Sequence, residues 1–252
     1  MTAQTRVEII GHRGASFDAP ENTLASLRLA WEQGADAVEF DVWQTRDGHI
    51  VLFHDETLNR TTGASGRVPD RSLAELRQLE VGRWKSPPFA GERIATLAEA
   101  LATVPAGKRA LIEVKCGPEV VPELDRVLTA SGLAPQRTTV ISFSADVVAA
   151  VKQRRPDVHA YWVVDLEERP RTSEELIAVA KSVSADGLDL SATPEVLDAA
   201  FAAKVLAAGL RLCVWTVDTV ELAQRMIAAG VESLTTNRPG WLREQLALVT
   251  PR

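Results

Sequence analysis

Short runs of Val, Ile, Leu and Ala recur along the chain, separated by longer stretches whose apolar residues return at helical spacing. The strand-like runs cover 7–10, 37–42, 50–53, 110–114, 139–143, 160–164, 185–190, 211–217 and 233–235. Runs this continuously apolar predict strands covered on both faces, as parallel strands are when helices flank the sheet. Helix starts are legible between them. Ser72 with Glu75, Thr96 with Glu99 and Thr172 with Glu175 have capping-box spacing. Leu24, Leu27 and Trp31 share one face of a segment that opens at Thr23 and stops at Gly34. Thr193-Pro194 and Asn237-Arg238-Pro239 place proline close to a helix start. Strand followed by helix, repeated to the end, predicts an α/β fold, a (β/α)8 TIM barrel occupying 1–252 as one domain.

Nine runs are one too many for such a barrel. The segment from Val42 to Ile50 is shorter than the dozen or so residues that a parallel crossover requires. Asp47-Gly48 within it is a tight-turn dipeptide. The second and third runs are therefore expected to form a local hairpin, with one of them outside the barrel count. Residues 56–95 then break the rhythm with Gly63, Gly66, Gly82, Gly91, Pro69, Pro87 and Pro88 around one amphipathic helix. This predicts a small insertion after the third strand that caps the barrel mouth and is too short for a core of its own.

Composition narrows the class. With 46% hydrophobic and 25% charged residues over 252 positions, the chain reads as a globular protein with a sizeable core. A formal net charge of -6 argues against nucleic acid as a partner, because that affinity needs clustered Lys and Arg. Cys116 and Cys213 make neither a disulfide framework nor a zinc spacing, and are expected as free buried thiols of a reducing compartment. No long apolar stretch suggests a signal peptide or a stable membrane insertion, so a cytoplasmic location is expected.

Four polar clusters fall at strand ends: Gly11-His12-Arg13-Gly14, Glu39-Phe40-Asp41, His54-Asp55 and Glu113-Val114-Lys115. The C-terminal ends of barrel strands are where side chains from several strands converge. Glu39 and Asp41 are two apart and share a face, as do Glu113 and Lys115. Three carboxylates facing one lumen repel each other unless a cation sits between them. Hard oxygen ligands without a His-Cys pattern suit one divalent ion, Mg²⁺, Ca²⁺ or Mn²⁺. The competing reading is separate salt bridges to Arg13 and Lys115.

A lone histidine at a strand end is more often structural than catalytic. His12 and His54 converging on the carboxylates instead suit an acid–base pair, whereas His49, beside a turn, and His159 read as structural. Arg13 and Lys115 offer cations for a phosphate. The combination suits phosphodiester hydrolysis. Trp215 and Phe143 either pack against the substrate or fill the barrel top. Glu21 and Asn22 either orient the His12 loop or start the first helix.

These residues also resemble the glycerophosphodiester phosphodiesterase family. The likeness runs in order through His12-Arg13-Gly14, Pro20-Glu21-Asn22-Thr23, Glu39-Phe40-Asp41, Thr45-Arg46-Asp47-Gly48, His54-Asp55 and Ile112-Glu113-Val114-Lys115. It continues at Leu58-Asn59-Arg60-Thr61-Thr62-Gly63, Thr96 to Leu101, Trp215-Thr216-Val217 and Thr235-Thr236-Asn237-Arg238-Pro239. The resemblance implies a divalent ion on Glu39, Asp41 and Glu113, catalytic His12 and His54, and Arg13 and Lys115 on the phosphate. It implies a small-molecule glycerophosphodiester substrate, split into an alcohol and glycerol 3-phosphate. Asn237 stands where the family usually has Asp, and Asp218 where Asn is commoner; Asn237 is expected to cap the last helix. The alternatives are a lysophospholipase D, which would need an apolar groove for an acyl chain, and a barrel that binds metabolites without catalysis.

Overall fold

In the computed structural model, which describes residues 7–249, every predicted run contributes a strand to one sheet. The strands are β1 (Glu8–Gly11), β2 (Ala37–Gln44), β3 (Ile50–Leu52), β4 (Arg109–Val114), β5 (Thr138–Ser142), β6 (His159–Val164), β7 (Gly187–Ser191), β8 (Arg211–Trp215) and β9 (Ser233–Thr236). β1 pairs in parallel with β9, Ile9 opposite Leu234, and with β2, Ile10 opposite Ala37. Those two pairings close a ring in the order β1-β2-β4-β5-β6-β7-β8-β9, eight parallel strands. β3 is antiparallel to β2, with Trp43 opposite Val51, and lies outside the ring. The surplus third run is the outer arm of a hairpin, consistent with the short connection at Asp47-Gly48.

Alternation along each strand divides the residues between two layers. On β2, Val38, Phe40 and Val42 are buried against the helices together with Ala110, Ile112 and Val114 of β4. Ala37, Ile10, Leu111, Ile141, Tyr161, Val163 and Cys213 instead pack in the lumen. Burying a side chain such as Phe40 contributes roughly 1.5–3 kcal/mol, which holds the opposite face of the strand, with Glu39 and Asp41, toward the barrel axis.

The three capping boxes form as the spacing predicts, at Ser72–Glu75, Thr96–Glu99 and Thr172–Glu175. Thr23 caps the first helix, Leu24–Glu32, with Ser26 completing the reciprocal bond. Thr193-Pro194 does not open a helix. Asp198 caps Ala199–Ala207 by accepting from the Phe201 N–H at 2.8 Å, a stronger start signal than the proline. In place of one amphipathic helix, the insertion has two single-turn α-helices, Asn59–Thr62 and Leu73–Leu76, and two 3-10 turns, Val68–Asp70 and Pro87–Phe89, because glycine and proline interrupt it throughout. Its buried Leu58, Val68, Leu76, Val81 and Ile94 pack on Val51 of β3, so β3 roots the insertion to the barrel. Both cysteines are free; Cys213 is buried and Cys116 only half-buried. No described helix is long and apolar enough to cross a membrane.

Candidate active site

The C-terminal strand ends bring His12, Arg13, Glu39, His54, Glu113, Lys115, Phe143 and Trp215 around one cavity of about 150 Å³. Larger space, about 600 Å³, opens at the opposite end of the barrel, but there Arg109 neutralises Glu8 and Arg211 neutralises Glu232. His159 lies at that end and His49 is exposed on the hairpin, so neither reaches the site.

Glu39, Asp41 and Glu113 are buried, and one oxygen from each lies within 4.8 Å of the others. Two oxygens that share a Mg²⁺ or Ca²⁺ at about 2.0–2.6 Å can be at most about 5 Å apart, so the three fit one ion. Glu39 Oε1 is buried without a hydrogen-bond partner among the described residues. An ion would satisfy that orphaned acceptor. Burial, then the charges of Asp41 and Glu113, raise Glu39 well above the usual carboxylate range. Burial, then Asp41, push Glu113 up to about 7. Asp41 goes the other way: burial opposes its charge, but Lys115 and Arg13 hold it well below its usual value.

Around the triad each residue has a visible anchor. Gly14 lets the loop after β1 fold back, with φ +82° and a Cβ position only 2.5 Å from a Ser26 backbone carbon. That turn carries the Arg13 N–H to Glu39 Oε2 at 2.9 Å. The Arg13 guanidinium donates to Glu21 at 3.0 Å and lies 3.3 Å from Asp41. Asn22 clamps Asp41, donating to Oδ2 at 2.8 Å and accepting from its backbone N–H at 3.0 Å. Glu21 also accepts from Arg60 of the insertion, at 2.6 and 2.9 Å. Lys115 Nζ donates to Glu113 at 2.5 Å and lies 3.0 Å from Asp41, so it counterbalances two of the three carboxylates. Its ammonium is 5.6 Å from the Phe143 ring, which meets Trp215 edge-on at 5.9 Å.

The two histidines differ in what stands behind them. His12 Nδ1 lies 2.8 Å from Asn237 Oδ1. Asp218 fixes which end of that amide faces the ring, because its carboxylate accepts from Asn237 Nδ2 at 2.5 Å and from the Asn237 N–H at 2.8 Å. The amide oxygen therefore faces His12, which must donate through Nδ1 and keep its lone pair on Nε2. Burial, then the charge of Arg13, lower the His12 pKa to about 4. His54 Nδ1 lies 2.7 Å from the Asp55 carboxylate, which Arg60 holds through its Nε at 2.5 Å. Burial, with the charges of Arg13 and Lys115, lowers the His54 pKa, and Asp41 and Asp55 offset only part of that.

Asn237 is not the helix cap expected of it; its side chain serves His12, Ser16 and Asp218. Sequence reasoning also passed over Asp189 and Thr235, which line the cavity from β7 and β9. Asp189 gave the same signal as Glu113, an acidic residue inside an apolar strand run.

Comparison with known proteins agrees with this geometry. The model of the "Glycerophosphoryl diester phosphodiesterase family" matches residues 12–241. A glycerophosphodiester phosphodiesterase of Caldanaerobacter subterraneus is 34% identical over 92% of this chain and 94% of its own. A probable glycerophosphodiester phosphodiesterase 1 of Mycobacterium tuberculosis is 32% identical over 97% and 95%. Among solved structures, an Oleispira antarctica phosphodiesterase in complex with the product sn-glycerol-3-phosphate superposes with a TM-score of 0.87 and 29% identity, covering 95% of this chain and 96% of that one.

Proposed function

The chain belongs to the glycerophosphoryl diester phosphodiesterase family, and from that premise we propose how it hydrolyses glycerophosphodiesters to an alcohol and glycerol 3-phosphate. The observation that carries the reading is the convergence of three buried carboxylates with two differently supported histidines on one cavity.

His12 is the general base. It is neutral near pH 7, and the Asn237 bond on Nδ1 leaves Nε2 free to take a proton from the nucleophile. That nucleophile is either water directly or the substrate's neighbouring glycerol hydroxyl, whose cyclic phosphate water then opens to glycerol 3-phosphate. His54 is the general acid. The Asp55 carboxylate accepts from Nδ1–H and so offsets part of the lowering by burial, Arg13 and Lys115; the imidazolium form then gives its Nε2 proton to the leaving alkoxide as the phosphorus–oxygen bond breaks. Arg13 and Lys115 set positive charge beside the phosphoryl oxygens. Glu39, Asp41 and Glu113 would hold a divalent ion, Mg²⁺, Ca²⁺ or Mn²⁺, which supplies further stabilisation of that developing charge. Glu21 and Asn22 position Arg13 and Asp41, and the edge-on pair of Trp215 and Phe143 walls the substrate space.

A colorimetric assay with bis(p-nitrophenyl) phosphate tests the chemistry: EDTA abolishes turnover and an added divalent ion restores it, with the restoring series naming the ion. A panel of glycerophosphodiesters read by glycerol 3-phosphate release tests the substrate. Full activity in EDTA, or no glycerol 3-phosphate from any member, would refute the proposal.

A further inference from the structure

β7 stands four steps round the ring from β2 in either direction, directly across the lumen from Glu39 and Asp41. From that far wall Asp189 faces the cavity. It is 2% exposed, and its Oδ1 has no hydrogen-bond partner among the described residues. Two strands on, Thr235 of β9 repeats the pattern: 1% exposed, lining the same cavity, with Oγ1 unpartnered. A buried polar atom left without a partner costs roughly 1–3 kcal/mol. Two such atoms aimed into one cavity make a wall that waits for hydrogen bonds from whatever fills it.

Building on the proposed phosphodiesterase reading, we propose that Asp189 and Thr235 form the subsite for the hydroxyls of the substrate's glycerol moiety, with Asp189 the residue that determines specificity for it. The opposite wall carries the carboxylates, Arg13 and Lys115, so a phosphate bound there points the rest of a small diester across the lumen. The rest of the lining away from the charged groups is mostly apolar, Ile141, Val163, Phe143 and Trp215 with Thr216. A polyol matches this mixture, presenting carbon to the apolar side chains and O–H groups to the two orphans. A cationic head group matches it less well, because Lys115 and Arg13 already place positive charge on the cavity. Burial, then the charge of Glu113, push the Asp189 carboxyl up to about 8, so near neutral pH it both donates and accepts, as a hydroxyl does. A hydroxyl site of this kind discriminates strongly against analogues that lack the group, because its own polar atoms are then stranded.

The test compares Asp189→Asn, Asp189→Leu and Thr235→Val with wild type, each loaded with the same divalent ion. Substrates are glycerophosphocholine, glycerophosphoglycerol and bis(p-nitrophenyl) phosphate, which has no hydroxyl. In the expected result, Asp189→Leu loses about 30-fold or more in kcat/KM on both glycerol diesters and less than about 3-fold on the aryl diester. Asp189→Asn keeps most activity, since an amide also donates and accepts, and Thr235→Val falls in between. Inhibition gives a second readout: wild type binds glycerol 3-phosphate more tightly than ethyl phosphate, and Asp189→Leu loses that preference. Thermal melting confirms folding; removing an unpartnered buried carboxyl leaves the leucine variant as stable as wild type or more so. Equal losses on all three substrates, or a loss confined to the choline ester and shared by Asp189→Asn, would overturn the subsite. A wild-type enzyme that cleaves the aryl diester but neither glycerol diester would overturn both the subsite and the substrate reading beneath it.

Discussion

The ring of His12 and the side-chain amide of Asn237 meet at 2.8 Å, although 225 positions separate them. The contact joins the strand that opens the barrel to the strand that closes it, and it decides which imidazole nitrogen carries the proton. Asp218 and Asn237 are two halves of one device: the acid at 218 orients the amide at 237.

Asn237→Ala should remove that orientation without touching the substrate. We expect kcat to fall about 10- to 100-fold with KM little changed, less than the roughly 100- to 10,000-fold that a positioned general base contributes in full, because the imidazole itself remains. Nitrogen-15 spectra of the histidines should show His12 as a mixture of tautomers in the variant and as the Nδ1–H form alone in wild type. A single tautomer in both would refute the assignment.

Glu39→Gln should uncouple stability from metal binding. The carboxylate it replaces is raised by burial and by Asp41 and Glu113, and one of its oxygens lacks a partner. Metal-free melting should therefore rise, by about 2–4 °C per kcal/mol of relieved strain, while the shift produced by divalent ions disappears with turnover. A variant that still gains thermal stability from Mg²⁺ or Ca²⁺ would place the ion elsewhere.

Metal affinity should fall with acid. Glu113, pushed to about 7, and Glu39, raised likewise, must lose protons before they can bind a cation. Calorimetry in two buffers of different ionisation enthalpy should detect proton release near pH 7, with affinity declining below it. The metal-free fold responds with two signs. The stabilisation from Glu113 is complete below its ordinary 4.5 and is lost as pH rises through about 7. That from neutral His12 is complete above 6.5 and is lost as pH falls through about 4. Affinity that is flat from pH 8 to 5.5 would contradict the carboxylate assignment.

Arg60→Leu should weaken catalysis although the residue touches no substrate. It bridges Glu21, which holds Arg13, to Asp55, which holds His54. We expect kcat/KM to drop about 10-fold and the effect to vanish in a Glu21→Gln, Asp55→Asn background, because residues in one network are not additive. Independent losses would mean that the insertion does not reach the site through Arg60.

Gly14→Ala should destabilise by about 2 kcal/mol or more, since the left-handed backbone and the approach to Ser26 both exclude a Cβ. Melting should fall by at least about 4 °C. An unchanged melting temperature would show that the loop after β1 has another way to turn.

Much of this was legible before any coordinates. Continuous apolar runs marked the strands, and the short step at Asp47-Gly48 told that one of the second and third runs leaves the ring; which one it is, β3, needed the pairing. Glu39, Asp41 and Glu113 stood out because an acid inside a buried strand needs a reason. The long-range partners did not stand out. Asn237 looked like a cap because local spacing near Pro239 says nothing of a histidine across the closure of the sheet. Asp189 was missed because, unlike Glu39, Asp41 and Glu113, it has no charged residue two positions away to draw the eye, only Gly187 and Ser191. Pro194 misled because proline marks a turn as readily as a helix start, and Asp198 held the stronger signal.

The barrel's closure also sets when the enzyme becomes one. His12, Arg13, Glu39, Asp41, His54, Glu113 and Lys115 all lie within the first 115 residues. The amide that aligns His12 arrives only when β9 slots between β8 and β1. The His12 site is therefore complete only once the strand that closes the ring is in place.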